Sequence, residues 1–256
     1  MRDDAVIARH VLIFALAALA GCGGNTQSNP SAAGAGESAK TRLLESGAAL
    51  LQEKPPLDEL DAYLDGFHFY NGNLGHQVEV HHYCGHLNEN LIQCVIYDGN
   101  GANARLMGVE YIVSGDVFAR LPDAEKHMWH SHVHEVRSGQ LIAPGLPDAA
   151  ERELMEKVAN TYGKTWHTWR TDAHADLPLG TPQLMMGFTA DGQADPALVQ
   201  SRDERFSVSS EEKKRQRSDI KYPRIDLQAD AWQKDIILQL VAVEQQPSGE
   251  KISIDH

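Results

Sequence analysis

No apolar run in this chain reaches the roughly 20 residues that a membrane-crossing helix takes. Basic residues are also scarce: 23 Lys and Arg against 36 Asp and Glu leave a net charge of −13, which argues against nucleic acid as a partner. Complete catalytic signatures are missing. There is no Gly-x-Ser-x-Gly turn to expose a serine nucleophile, and no His-Glu-x-x-His, because His134-Glu135 is followed by Ser138 where the second His is needed. Gly163-Lys164-Thr165 is not a phosphate loop, since Val158 stands where a Walker motif has its first Gly. That triplet reads as a helix terminus, with Gly163 as terminator, followed by a strand start. These absences leave any reaction unassigned and lean the reading toward a non-enzymatic role.

What is present begins with an address. Arg2, Arg9 and His10 precede the apolar run 11–20, about the length of a signal-peptide core, and the run ends in Leu19-Ala20-Gly21-Cys22. This end resembles the lipobox of bacterial lipoproteins, in which the Cys is diacylated and becomes the first mature residue. Residues 1–21 are therefore expected to be a signal peptide and Cys22 a lipid anchor, each buried methylene contributing about 0.8 kcal/mol to membrane attachment. Gly23 in place of Asp favours an outer-membrane destination in a Gram-negative envelope. Segment 22–40, small, polar and interrupted by Pro30, reads as a tether with a reach on the order of 20–25 Å. The acidic domain would be repelled by anionic headgroups, so covalent lipid is the expected hold on the membrane; no protein partner is specified.

Residues 41–256 read as a single domain, without repeats or a second linker. Leu43, Leu44, Ala48, Leu50 and Leu51 recur at helical spacing, as do Leu57, Leu60 and Leu64 after Pro55-Pro56, predicting two short packing helices. Four strands are expected over 67–70, 77–84, 91–97 and 105–113, separated by Asn- and Gly-rich turns, as an antiparallel meander. A helix near 123–129, strands near 132–136 and 141–143, a helix over 148–160 and strands near 165–169 and 183–189 follow. Beyond Pro196 the chain reads as helical, then irregular. The sum is an α+β domain, mainly antiparallel sheet with flanking helices. Ser209 and Glu212 fit a capping box ahead of Lys213, Lys214, Arg215 and Arg217, a solvated helix face. Trp232 and the run 236–238 are expected to dock the tail onto the domain.

Several long words in one order carry a resemblance: Gly66-Phe-His-Phe-Tyr-Asn-Gly, Val80-His-His-Tyr-Cys, Gln93-Cys-Val-Ile-Tyr-Asp, Gly108-Val-Glu-Tyr-Ile-Val-Ser, Trp129-His-Ser-His, Tyr162-Gly-Lys-Thr-Trp-His and Leu177-Pro-Leu-Gly-Thr-Pro. Together, from about Leu57 to Arg205, they resemble the oil-body-associated protein family. The resemblance implies a shared fold and an association with lipid surfaces; it implies no catalytic residues. His134 departs from it, standing where an aromatic residue is expected.

The chemistry on offer is imidazole. His130, His132 and His134 share one face if their segment is extended, because side chains alternate along a strand. With the His81-His82 pair from another strand they are suited to a divalent transition metal such as zinc. His68, His86, His167 and Glu135 are further candidates. The bland alternative is hydrogen-bonded sheet histidines. Cys84 reads as a small buried hydrophobe. A Cys84–Cys94 disulfide is disfavoured, because a hairpin centred on Leu87-Asn88 places Cys84 opposite Leu91. Plant members of the resembled family also work facing cytosol with similar cysteines, which favours free thiols.

Overall fold

The computed structural model describes residues 32–241. The leader, Cys22 and the tether up to residue 31 lie outside the described residues. The first element, α1 (Ala39–Leu51), is capped by Ser38, whose side chain accepts from the Thr41 N–H. The reading of α1 as a packing helix is corrected: none of its residues is buried, and Leu43, Leu44, Leu50 and Leu51 all stay exposed. Helical periodicity fixes that stripe, but the barrel offers nothing against it. Pro55-Pro56 open only a single turn, α2 (Pro55–Asp58), and Leu64 belongs to the strand that follows.

That strand, β1 (Ala62–Tyr70), leads into β2 (Asn73–Asn88), β3 (Leu91–Tyr97) and β4 (Leu106–Ser114), each antiparallel to the one before, as the meander expectation requires. Two short helices, α3 (Gly115–Ala119) and α4 (Asp123–Lys126), precede β5 (His130–Ser131). Then come α5 (Val133–Arg137), α6 (Asp148–Val158), β6 (Thr161–His167) and β7 (Gln183–Met186). The described chain ends through α7 (Pro196–Phe206), α8 (Ser210–Gln216) and a 3-10 turn at Ala231–Lys234.

The sheet closes on itself. Strand β4 pairs with β6, β6 with β7 and β7 with β1, so six antiparallel strands form a barrel and β5 extends its wall beside β6. Closure removes the exposed strand edges that an open meander would leave. The α+β expectation therefore holds at the coarse level. An open sheet with flanking helices is the part that changes.

Period-two alternation sorts the side chains. Tyr70, Val78, Val80, Ile96, Met107 and Met185 fill one end of the barrel, and Cys84, Cys94 and Ile112 pack together toward the other. Between them, along β2 and β4, lie His82 and Glu110. Outside, Met155 and Val158 of α6 pack with Val136, Leu141 and Ile220, as the amphipathic pattern of that helix predicts. Arg202 of α7 is fully buried against the outer wall, pairing with Asp65 at 2.9 Å and donating to the Gln140 and Gly139 carbonyls. The tail docks through Trp232 and Gln239, while Ile237 and Leu238 of the run expected to pack stay exposed. Trp232 meets Phe69 edge-on, and the Gln239 amide bonds the Leu184 N–H and carbonyl.

Three local expectations are overturned. The segment after Ser131 is helix α5 rather than strand, because the Ser131 hydroxyl accepts from the Val133 N–H and turns the chain; 141–143 contributes a single bridge, Ile142 to Asp65. Gly163 lies inside β6 instead of ending α6. Cys84 and Cys94 are bonded as a disulfide. The β2–β3 turn is centred two residues later than the symmetric hairpin assumed, at Glu89-Asn90, and an irregularity at Leu87 takes up one residue of β2; together these bring the two cysteines directly opposite, Cα to Cα 4.1 Å.

Candidate metal centre inside the barrel

Glu110 points into the barrel from the middle of an otherwise apolar strand and is 2 % exposed. Four imidazole Nε2 atoms surround its carboxylate. His82 of β2 is at 2.9 Å and His132, just before α5, at 3.1 Å; His130 of β5 is at 3.6 Å and His68 of β1 at 3.8 Å. All four rings are buried. Every ion pair that Glu110 makes among the described residues is to an imidazole, and no Lys or Arg reaches it.

The protons do not close this arrangement by themselves. Thr161 donates its hydroxyl hydrogen to the Val158 carbonyl at 2.7 Å, so at 2.7 Å from His132 Nδ1 it must accept. His132 Nδ1 therefore carries the proton, and in the neutral ring Nε2 presents a lone pair to the Glu110 carboxylate. Two lone pairs facing one another at 3.1 Å need a positive charge, either a second proton on His132 or a metal ion. A metal-bound His that donates its other N–H to a fixed acceptor is the usual arrangement around a metal.

Two of the surrounding rings, His130 and His68, are held neutral. Burial pushes His130 down to about 3 and His68 well below its ordinary value, while the nearby Glu110 charge opposes both shifts. Burial alone would raise the Glu110 carboxyl; the His132 and His82 imidazoles against it outweigh burial and hold the group well below the usual carboxylate range. Several buried nitrogens lack a partner: Nδ1 of His68 and His82, and both nitrogens of His130. Only Nε2 of His130 among these faces Glu110, at 3.6 Å, and such an orphan costs about 1–3 kcal/mol, so a further partner at that atom would be a gain.

Backbone space is reserved for this ring. A Cβ on Gly163 would collide with a Glu110 carboxylate oxygen and stand 2.7 Å from His132 Nε2; one on Gly187 would lie 2.6 Å from a Glu135 oxygen. Gly163 is therefore needed for the close approach of two ligands, and helix termination has no part in its choice.

The sequence candidates divide. His130, His132, His82 and His68 converge. Glu135 stands 3.9 Å from His132 Nε2, its carboxyl raised by burial and by the Glu110 charge. His167 is buried with its ring 5.6 Å from that of His68, and it also has both nitrogens unpartnered. His81 does not join: it faces the outer wall, Nδ1 at 3.2 Å from Asp65 and 2.8 Å from the Tyr63 hydroxyl. His86 is exposed near the end of β2, and His134, carried onto α5, turns away. Glu110 was missed. Its signal was a lone acid within Leu106-Met-Gly-Val-Glu110-Tyr-Ile-Val113, a position that only a paired or ligating carboxylate occupies readily.

A closed antiparallel barrel enclosing a carboxylate in a ring of imidazoles defines the class of protein. The family described as a protein of unknown function, DUF1264, matches residues 54–221, and the chain belongs to that family. It is 41 % identical to oil body-associated protein 1B of Arabidopsis thaliana over 87 % of this chain and 93 % of that protein. To oil body-associated protein 1A of Zea mays it is 48 % identical over 72 % and 77 %, respectively. No solved structure matches it.

Proposed function

We propose that this protein binds a divalent transition-metal ion, zinc foremost, inside its barrel. One observation carries the reading: four buried imidazole Nε2 atoms aimed at one buried carboxylate, which no Lys or Arg among the described residues reaches. Nitrogen donors with one carboxylate suit zinc, iron or copper better than calcium or magnesium. The ring is closed to solvent, which favours holding a metal over turning over a substrate. Elemental analysis of tag-free protein, beside a His130→Ala, His132→Ala double variant, tests this. One metal per chain, lost in the variant, is expected; a metal-free native protein that takes up none on titration would refute it.

We further infer an envelope lipoprotein held by acyl chains on Cys22, with a non-enzymatic binding or organising role at a lipid surface. The favouring observation is α1, which presents Leu43, Leu44, Leu50 and Leu51 on one uncovered face a short distance after Cys22. No helix among the described residues is long and apolar enough to cross a membrane. The curated relatives are named for oil bodies, which fits a lipid surface. Net charge argues against nucleic acid. Mass spectrometry of the native protein should find Cys22 acylated as the first residue, and an unmodified thiol there would remove the anchor.

A further inference from the structure

The disulfide lies on the same wall as the ring. Cys94 is the registered cross-strand partner of both Cys84 on β2 and Glu110 on β4, and registered partners project to the same side of a sheet. His82 precedes Cys84 by two residues and so shares its inward face. Two sulfurs thus neighbour two members of the carboxylate–imidazole cluster inside one closed barrel, and both cysteines are 3 % exposed. While the sulfurs are bonded to each other they are poor donors. Separated, they are the soft donors that zinc, cadmium and copper(I) prefer.

We infer that the Cys84–Cys94 pair is a redox-controlled part of this metal centre: oxidised, the barrel offers a nitrogen–oxygen ligand set, and reduced, it adds sulfur donors to the same ion. Reduction consumes two electrons and two protons from a dithiol, which becomes a disulfide; the S–S bond breaks and each sulfur leaves as a thiol. Metal binding then displaces the thiol protons to solvent. This inference rests on the metal-binding reading above and adds a state to it.

Full-length chain carrying Cys22→Ser leaves these two cysteines as the only thiols. It is compared in the oxidised form and after unfolding and refolding under a phosphine reductant, with thiols counted and circular dichroism verifying the fold. Cadmium is the probe, because sulfur–cadmium bonding gives a charge-transfer absorption that nitrogen and oxygen ligands do not. One cadmium per chain is expected in both forms, at least tenfold tighter in the reduced one, with the absorption appearing only there. A Cys84→Ser, Cys94→Ser variant should bind cadmium as the oxidised protein does, without the absorption. Cadmium bound in both forms with no sulfur signature overturns the inference and leaves the metal reading standing. Cadmium bound in neither form overturns both. A sulfur signature that survives unchanged in the Glu110→Gln, His82→Ala variant also overturns it, since the thiols would then form a site of their own.

Discussion

Strands β1 and β2 contribute to an acid–imidazole cluster on each face, the inner one completed by Glu110 of β4, and the two are neutralised differently. On the outer face Asp65 pairs with the buried Arg202 at 2.9 Å, and Glu79 with Arg205, while His81 lies between the acids. On the inner face Glu110 meets only imidazoles. Both triads, Asp65–Glu79–His81 and His68–Glu110–His130, hold ligand atoms close enough for one ion. Guanidinium groups already supply the positive charge outside, so that cluster is a structural clamp for α7. Inside, no Lys or Arg among the described residues reaches Glu110, and on the proposed reading a bound metal ion supplies the positive charge.

The largest way to break this contrast is Arg202→Ala. Removing one partner of a buried ion pair strands Asp65 and should cost about 3–5 kcal/mol in denaturant unfolding, while metal per folded molecule stays unchanged. Loss of metal together with stability would merge the two clusters into one system. Gly163→Ala should do the reverse. Its methyl intrudes between Glu110 and His132, so metal binding falls at least about 100-fold, with overpacking costing about 1–3 kcal/mol.

Acid sharpens the comparison next. Burial holds His130 and His167 down to about 3 in the fold, so as pH falls below 6.5 the unfolded chain takes up protons that the folded chain refuses. The stability these two imidazoles contribute is therefore full above about pH 6.5 and lost between there and about pH 3, while Glu135, raised by burial, works in the opposite sense. Each imidazole contributes up to about 1.4 kcal/mol per pH unit. Glu110, held low, adds loss in the same direction in more acid solution. Urea midpoints measured in chelator at pH 7 and pH 5 check this, and His167→Gln should remove one imidazole's share of the slope, since burial holds His68 and His81 down as well. The smallest effect belongs to α1: Leu43→Gln and Leu50→Gln should change stability by less than about 0.5 kcal/mol, since neither side chain is buried, yet weaken binding of the Cys22→Ser chain to phospholipid vesicles.

Much of the sheet was legible because alternation and Asn/Gly turns mark β1 to β4 locally. Barrel closure was not, since pairing β4 with β6 and β7 with β1 depends on contacts far apart in sequence. His130 and His132 were readable as candidates from their spacing, although the strand assumed for them ends at Ser131 and a helix aims His132. A turn placed two residues later, with a bulge at Leu87, decided whether Cys84 met Leu91 or Cys94. Glu110 was visible as an acid in an apolar strand, but only the fold shows that four imidazoles converge on it. Gly163 carried a signal of close approach that resembled a helix stop.

The most direct test is anomalous diffraction at the zinc edge from crystals of native, tag-free protein. The account predicts one peak within bonding distance of the Glu110 carboxylate and the Nε2 atoms of the facing histidines. A crystal containing zinc whose peak lies instead beside Asp65 and His81, or whose barrel interior shows none, would contradict it.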